Sequence, residues 1–255
     1  MTTKKKQNIL ITGASSGIGE ALARHYAITE KAANLFISGR DPKRLESVQK
    51  ACERYNVKVY AKILDVTDKE ATKNWIQECE DIAPLNIVYA NAGVATLQEI
   101  PENIYNTFNT NVFGVLNTII PAMEIYKNRK DKNKTLVIMS SIAGYHGLPS
   151  CPSYSASKAC VKAYGEALRS DLKPYNIQVN VVCPGFVKSR ITDKNTCPMP
   201  FFMSAENAAK IIADRVENNV GLIAFPWPMR LATWLMSILP NCLSDFIYAK
   251  LPHKV

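Results

Sequence analysis

Strand-like apolar runs and helical patterns alternate along almost the whole chain, and this alternation restricts the fold more than any other feature. The predicted strands cover 7–12, 34–39, 57–63, 86–91, 135–140, 177–183 and 221–226, and the predicted helices cover 17–29, 42–54, 68–80, 101–127, 153–174 and 204–218. Alternating strands and helices require crossover connections, which produce a parallel sheet with helices on both faces. Because no linker or repeat interrupts the series, we expect one α/β domain over 1–255, a Rossmann-like doubly wound sheet of about seven strands.

A glycine-rich turn joins the first predicted strand to the first predicted helix. Its sequence is Gly13-Ala-Ser-Ser-Gly17-Ile18-Gly19. Glycines let the backbone turn tightly and approach a pyrophosphate, while the following helix offers free N–H groups. The spacing differs from the commoner Gly-x-Gly-x-x-Gly, and an ordinary strand-to-helix turn is the alternative. The context favours a dinucleotide site, in which Ser15 and Ser16 offer hydroxyl contacts.

Tyr154 and Lys158 lie four residues apart in a predicted helix, so their side chains share one face. A free phenol has a pKa near 10, and an adjacent ammonium favours the phenolate. Bringing that pKa to about 7 needs roughly 4 kcal/mol, which we expect from Lys158, a second cation and partial desolvation. On its own, this pair also occurs by chance on solvated helix faces.

Together the two motifs resemble the short-chain dehydrogenase/reductase family in its single-domain form. Four further family motifs follow in order, namely Asp65-Val66, Asn91-Ala92-Gly93, Ser140-Ser141 and Pro184-Gly185. The resemblance covers about residues 7–226 and implies an NAD(P)-dependent oxidoreductase acting on a carbonyl or a secondary alcohol. The alternative is a catalytically silent NADP(H)-binding regulator or scaffold, against which the complete catalytic set argues.

The resemblance assigns a role to each motif. Catalysis is expected from Asn111, Ser141, Tyr154 and Lys158, with Ser140 as a competitor that is one residue off the family spacing. Asn111 is expected to organise a water relay to Lys158, or else to be a purely structural asparagine. The expected cofactor-binding residues are Gly13, Ser15, Ser16, Gly17, Ile18, Gly19, Arg40, Asp65, Val66, Asn91, Ala92, Gly93, Tyr154, Lys158, Pro184, Gly185, Val187 and Ser189. Ser189 stands where the family usually has threonine.

The tip of the second predicted strand bears on the choice of cofactor. Ser38-Gly39-Arg40 has no acid at the place where a carboxylate would bind a ribose diol, and a guanidinium suits a phosphate. We therefore expect a preference for NADP(H), with equal use of NAD(H) if Arg40 points to solvent. Asp41-Pro42 reads as a helix start. Asp65 is expected on the adenine amine by resemblance, with capping of the next helix as its alternative.

Two segments near the carboxyl end bear on the substrate. Residues 190–218 are expected to form a flap (Thr192 to Phe202) and a helix over the substrate, and 227–251 form an apolar tail. In a helix, Arg230, Thr233 and Ser237 would form its polar stripe. The tail is interpreted as a pocket wall or subunit contact, as an interfacial membrane helix, or as ordinary core. The first two interpretations favour a lipid, steroid or long-chain carbonyl substrate.

Charge and cysteine content bear on nucleic-acid binding, metal binding and cellular location. The net charge of +9 comes partly from the basic runs 4–6 and 127–134, which we interpret as solvated, and no basic stripe indicates nucleic-acid binding. Seven scattered cysteines and three distant histidines indicate no metal site and reduced thiols in the cytoplasm. Peripheral membrane contact stays open. By resemblance, we expect a homodimer or homotetramer packed through helices 101–127 and 153–174.

Overall fold

A seven-stranded, fully parallel sheet forms the centre of the protein. The computed structural model describes residues 6–96, 98–149, 151–194 and 198–249. The strands are β1 Gln7–Thr12, β2 Ala32–Gly39, β3 Lys58–Ile63, β4 Ile87–Ala90, β5 Thr135–Met139, β6 Gln178–Pro184 and β7 Leu222–Phe225. They are ordered β3-β2-β1-β4-β5-β6-β7, and every neighbouring pair is parallel. The predicted Rossmann-like sheet is confirmed.

Helices cover both faces of this sheet. They are α1 Gly17–Ile28, α2 Pro42–Cys52, α3 Lys69–Ile82, α4 Pro101–Phe108, α5 Gly114–Lys127, α6 Pro152–Asp171, α7 Ala205–Glu217, α8 Trp227–Ile238 and α9 Asn241–Ala249. Successive strand residues point to opposite faces, so Ile9 and Ile11 of β1 join the core under α1 and α7. Leu10 joins the second core, under α3, α5 and α6. The sheet therefore separates two apolar layers.

The strand order reverses at β1, which pairs with both β2 and β4. In open parallel sheets, ligands bind beyond the carboxyl ends of the strands at this reversal. The ends of β1 at Thr12 and of β4 at Ala90 border that crevice. The fold thus fixes the location of a candidate site before any side chain is considered.

The predicted helix 101–127 is interrupted. A π-helical turn, Asn109–Phe113, lies between α4 and α5, and Asn111 is at its centre. Such turns insert an extra residue into an α-helix and are frequent at functional sites. The predicted helical range 101–127 is thus confirmed, but the sequence pattern did not predict the π-helical turn at a candidate catalytic residue.

The N-terminus of α1 is capped differently from those of α2 and α3. Asp41 accepts the backbone N–H of Arg44 and begins α2 before Pro42, as expected. Asp68 caps α3 in the same way, so the alternative that Asp65 caps this helix is wrong. At α1, the N-cap Ser16 makes no side-chain capping hydrogen bond. The glycine loop is therefore followed by a helix whose first turn lacks a side-chain cap.

The basic run 127–134 is only partly solvated, which corrects the sequence interpretation. The side chain of Lys134 is buried at 2% exposure, and its Nζ donates to the carbonyls of Tyr126 (2.9 Å) and Arg129 (2.7 Å). Arg129 forms ion pairs with Glu80 and Asp131. Lys134 thus gives a charged donor to two carbonyl groups at and just after the end of α5.

Replacing Lys134 by Met should lower the free energy of unfolding by about 3 kcal/mol, because two carbonyl acceptors lose a charged donor. The exposed neighbour Lys132, changed to Met, is the matched control and should change stability by less than about 0.5 kcal/mol. Urea denaturation of both variants measures the difference. Equal stability of the two variants would contradict the role assigned to Lys134.

Candidate active site

The glycine loop leaves no room for side chains where it meets the end of β4. Gly13 and Gly17 have φ values of +68° and +57°, a region that other residues rarely adopt. A Cβ atom on Gly13 would lie 2.6 Å from the Cα atom of Ala92. Together with the uncapped start of α1, this close backbone turn fits the pyrophosphate of a dinucleotide.

Thr12 and Asn91 lock the ends of β1 and β4 together. The Thr12 hydroxyl oxygen accepts the backbone N–H groups of Asn91 (3.1 Å) and Ala92 (3.3 Å). The Asn91 amide donates to the carbonyls of Thr12 (2.9 Å) and Gly13 (3.2 Å). These contacts bring the predicted Asn91-Ala92-Gly93 motif directly against the glycine loop.

The segment after β6 reaches the same loop from the other side. A Cβ atom on Gly17 would lie 3.0 Å from Cβ of Ser189, so these predicted residues are neighbours. Thr192 holds the turn: its hydroxyl accepts the N–H of Ser189 (2.8 Å) and donates to the carbonyl of Val187 (3.0 Å). Val187 pairs with Met203 across an isolated bridge. The described part of the predicted flap is thereby tied to the crevice, and residues 195–197 lie outside the described ranges.

Arg40 and Asp65 lie at the tips of β2 and β3 and face each other. Their side chains form an ion pair of 3.5 Å (Nη1 to Oδ2) and are about half exposed. Asp65 also accepts the backbone N–H (3.0 Å) and hydroxyl (2.9 Å) of Thr67. These hydrogen bonds and the Arg40 charge lower the pKa of Asp65, although burial opposes them as the largest single effect. Ser15 packs against Gly39, next to Arg40.

Val66, predicted together with Asp65, contacts α5. Its side chain packs against Gly114 at the start of α5, and its carbonyl accepts the amide of Asn117 (2.9 Å). The backbone at Val66 is thereby fixed to α5, which holds the neighbouring Asp65 at the crevice edge.

Ser141, Tyr154 and Lys158 converge beyond the ends of β5 and β6. The Ser141 hydroxyl, after β5, lies beside the Tyr154 phenol and accepts the N–H of Ala143 (3.1 Å). On α6, the Lys158 Nζ lies 5.8 Å from the centroid of the Tyr154 ring and donates to the Met139 carbonyl (2.9 Å). A hydroxyl, a phenol and a buried amine thus occupy one site.

Ser140 makes a different contact. Its hydroxyl donates to the backbone carbonyl of Lys158 (2.7 Å), which ties β5 to α6. Since this hydroxyl is occupied by the helix backbone, the geometry favours Ser141 over Ser140 as the serine that faces Tyr154.

Burial controls the protonation of the pair, which corrects one expectation. Burial raises the pKa of Tyr154 to about 12, and the Ser141 hydroxyl only partly offsets this. Burial also lowers the pKa of Lys158 to about 8. We expected desolvation to help lower the phenol pKa, but removal from water disfavours the charged phenolate and so acts in the opposite direction. At pH 7 both groups therefore hold their protons.

The Asn111 side chain is completely buried and bonded to protein groups. Its Oδ1 accepts the N–H of Val94 (2.8 Å), and its Nδ2 donates to the Val94 carbonyl (2.9 Å) and to the Ser157 hydroxyl (3.1 Å). A Cβ atom on Gly93 would lie 3.2 Å from Asn111 Oδ1 and 3.3 Å from Lys158 Nζ. Asn111 therefore anchors the loop after β4 beside Lys158, while its expected water relay stays a prediction.

The apolar tail begins against the site. A Cβ atom on Gly185 would lie 3.0 Å from Cδ of Pro226, 3.1 Å from Sδ of Met229 and 3.3 Å from Cδ1 of Ile142. Ile142 directly follows Ser141. The first turn of α8 thus packs beside the Ser141 turn and the predicted Pro184-Gly185 motif.

Three residues that shape the site were missed by the sequence reasoning. Thr12, Ser157 and Thr192 act through hydroxyl groups that bond to backbone or to Asn111. Thr12 directly precedes Gly13 of the glycine motif, and Ser157 directly precedes Lys158, and this adjacency was the available signal. Nothing in the sequence pattern marks Thr192, because its partners become neighbours only through the fold.

Metal binding has no support in the ranges that the structure describes, since no group of three His, Cys, Asp or Glu side chains there could hold an ion. None of the six cysteines within those ranges forms a disulfide, and Cys197 lies outside them.

Comparison with known proteins agrees with this geometry. The family described as short chain dehydrogenase matches residues 7–198. An uncharacterized oxidoreductase of Myxococcus xanthus is 34% identical over 96% of this chain and 97% of its own. The 3-oxoacyl-[acyl-carrier-protein] reductase of Thermotoga maritima is 30% identical over 80% of this chain and 87% of its own.

A solved structure shares the fold. The short-chain dehydrogenase from Mycobacterium paratuberculosis bound to NAD has a TM-score of 0.72 and 23% identity, over 85% of this chain and 94% of that one. The family match spans most of the chain and includes the glycine loop, Ser141, Tyr154 and Lys158. This chain belongs to the short-chain dehydrogenase/reductase family of NAD(P)-dependent oxidoreductases.

Proposed function

We propose that the protein is an NADP(H)-dependent oxidoreductase that transfers a hydride between nicotinamide and a carbonyl or secondary alcohol of an apolar compound. The observation that carries this proposal is the convergence of Ser141, Tyr154 and Lys158 beyond the ends of β5 and β6. This site adjoins the crevice formed by the glycine loop and the end of β4.

The mechanism follows from the protonation of these groups. When bound, the reduced nicotinamide supplies the hydride. Tyr154, protonated at neutral pH, donates its proton to the carbonyl oxygen, and the Ser141 hydroxyl polarises that oxygen. Lys158, held by the Met139 carbonyl, places its positive charge beside the ring and stabilises negative charge that develops on the phenol oxygen. The protonated phenol is the form that reduction of a carbonyl requires.

The cofactor proposal rests on the segments that surround the glycine loop and on Arg40. The glycine loop, the Asn91-Ala92-Gly93 segment and the Pro184–Ser189 segment would hold the pyrophosphate, ribose and nicotinamide ends. Arg40, half exposed beside Ser15, would bind the adenosine 2′-phosphate of NADP(H) and exchange its ion pair with Asp65 for a phosphate contact. NAD(H) is the alternative, and a relative of the same fold is bound to NAD.

An apolar substrate is supported by the surroundings of the site. Met229 and Ile142 approach each other next to the Ser141 turn, and Phe201 and Phe202 of the flap are exposed. Such groups contact alkyl chains or rings at lower cost than they contact water. Lipids, steroids and long-chain carbonyl compounds share this chemistry.

The outer face of α8 supports a further contact. Its exposed side chains include Trp227 (73%), Trp234 (48%) and Ile238 (59%). The hydroxyl groups of Thr233 and Ser237 are used within the helix, because they donate to the carbonyls of Met229 and Trp234. Arg230 is the only charged side chain of α8. No helix within the described ranges is long and apolar enough to cross a membrane. We propose peripheral contact of this face with a membrane in a cytoplasmic protein.

Self-association is proposed through other helices. Tyr105 of α4, Phe113 of the π-helical turn and Ile120 of α5 are exposed apolar side chains on the predicted dimer helices. They support a homodimer or homotetramer packed through α4, α5 and α6, because exposed apolar patches mark protein contacts.

Changing Tyr154 to Phe should lower kcat for NADPH-dependent reduction of long-chain aldehydes and ketones at least a thousandfold, because the proton donor is lost. Binding of NADPH, followed by energy transfer from tryptophan, should stay within threefold of wild type. Tyr164→Phe on the same helix is the control and should keep full activity. Normal turnover by Tyr154→Phe would refute the mechanism.

Changing Arg40 to Ala should weaken NADPH binding roughly 10- to 100-fold and leave NADH binding unchanged, since a charged hydrogen bond contributes about 1.5–3 kcal/mol. The exposed Arg54, changed to Ala, is the control and should alter neither affinity. Both constants come from the same fluorescence titration. Equal effects on NADPH and NADH would remove Arg40 from the cofactor assignment.

Changing both Trp227 and Trp234 to Ala should abolish flotation of the protein with vesicles of mixed neutral and anionic phospholipid. The double variant Tyr105→Ala, Phe113→Ala is the control and should still float. Sedimentation velocity separates the alternatives: loss of assembly by the tryptophan variant would identify α8 as a subunit contact and contradict the membrane proposal.

A further inference from the structure

A carboxylate outside the predicted motifs is bonded to the start of the catalytic helix. Glu99 Oε1, in the loop between β4 and α4, accepts both the backbone N–H (3.2 Å) and the hydroxyl (2.8 Å) of Ser153. Ser153 is buried and directly precedes Tyr154 on α6. The two hydrogen bonds therefore hold Ser153, the residue that directly precedes Tyr154.

The helix lacks a cap of its own at this end. Cys151, the N-cap residue, makes no side-chain capping bond, and Pro152 at the first position has no N–H. The N–H of Ser155 already bonds to the Cys151 carbonyl (3.0 Å). Ser153 thus carries the first N–H of α6, and a negatively charged acceptor there also interacts favourably with the helix dipole.

The loop that carries Glu99 is fixed to the site at its other end as well. Asn111 holds both backbone groups of Val94, and the Ser157 hydroxyl, which receives the Asn111 amide, donates to the Tyr154 carbonyl (2.7 Å). The loop after β4 is therefore linked to α6 directly through Glu99 and, by way of Asn111, at Ser157, so that the two links lie on either side of Tyr154.

We propose that Glu99 is a positioning residue for the reaction: it caps α6 from the β4–α4 loop and thereby holds Tyr154 at the distance that proton transfer requires. Small misplacement of a reacting group costs large factors in rate, because the aligned geometry is lost. This inference rests on the proposed function, since the rate that Glu99 affects is that of carbonyl reduction.

The test compares Glu99→Ala and Glu99→Gln with Glu102→Ala, an exposed glutamate three residues further on. For NADPH-dependent reduction of decanal, Glu99→Ala should lower kcat about tenfold or more and leave NADPH affinity within twofold. Glu99→Gln keeps a carbonyl acceptor and should retain at least half of kcat, and Glu102→Ala should match wild type. A loss in Glu99→Gln equal to that in Glu99→Ala, or none in either, would overturn the proposal.

Amide hydrogen exchange of residues 151–158 provides a readout that needs no substrate. Exchange should accelerate at least fivefold in Glu99→Ala and not in Glu102→Ala. Unchanged exchange in Glu99→Ala would overturn the capping role whatever the kinetics show. If the wild-type protein reduced neither decanal nor any other carbonyl compound, the proposed function would fail, while the exchange result would still decide whether Glu99 holds this helix.

Discussion

The junction between β1 and β4 is the constraint on which the site depends. Thr12 and Asn91 exchange four hydrogen bonds with backbone groups across this junction. These hydrogen bonds between side chains and backbone groups fix the position of the two strand ends relative to each other. The glycine loop follows one strand end and the loop to Asn111 follows the other, so the proposed cofactor crevice and the catalytic helix are aligned by the same junction.

The buried pair Tyr154 and Lys158 illustrates how the fold balances opposing electrostatic effects. Removal from water stabilises the neutral form of both groups, which raises the pKa of the phenol and lowers that of the amine. Attraction between phenolate and ammonium acts in the other direction, because it stabilises the form in which the phenol has lost its proton. The site therefore keeps a proton available at neutral pH and provides a cation for the charge that its departure creates.

The sequence predicted the sheet well, because period and turn signals are local. All seven strands lie within two residues of their predicted bounds, and Asp41-Pro42 begins α2 as expected. The motifs also predicted that Gly17 and Ser189, far apart in sequence, face one site. The errors arise where a contact that only the folded chain shows decides the environment of a side chain. Lys134 is charged by type but is buried, with its Nζ bonded to two carbonyls, and the Glu99–Ser153 contact joins a loop to the first turn of α6 without any spacing signal.

The π-helical turn at Asn109–Phe113 has a consequence for the phase of the helices around it. One extra residue in a helix rotates everything after it by about 100°, since an α-helical turn holds 3.6 residues. The same face of the helix is therefore formed by residues with a different sequence phase in α4 and in α5, although the two helices are nearly continuous. A shortening of this segment by one residue would turn α5 about its axis and move the side chain of Asn117 away from Val66. The helical segment 101–127 thus tolerates substitutions more readily than the insertion or deletion of a residue.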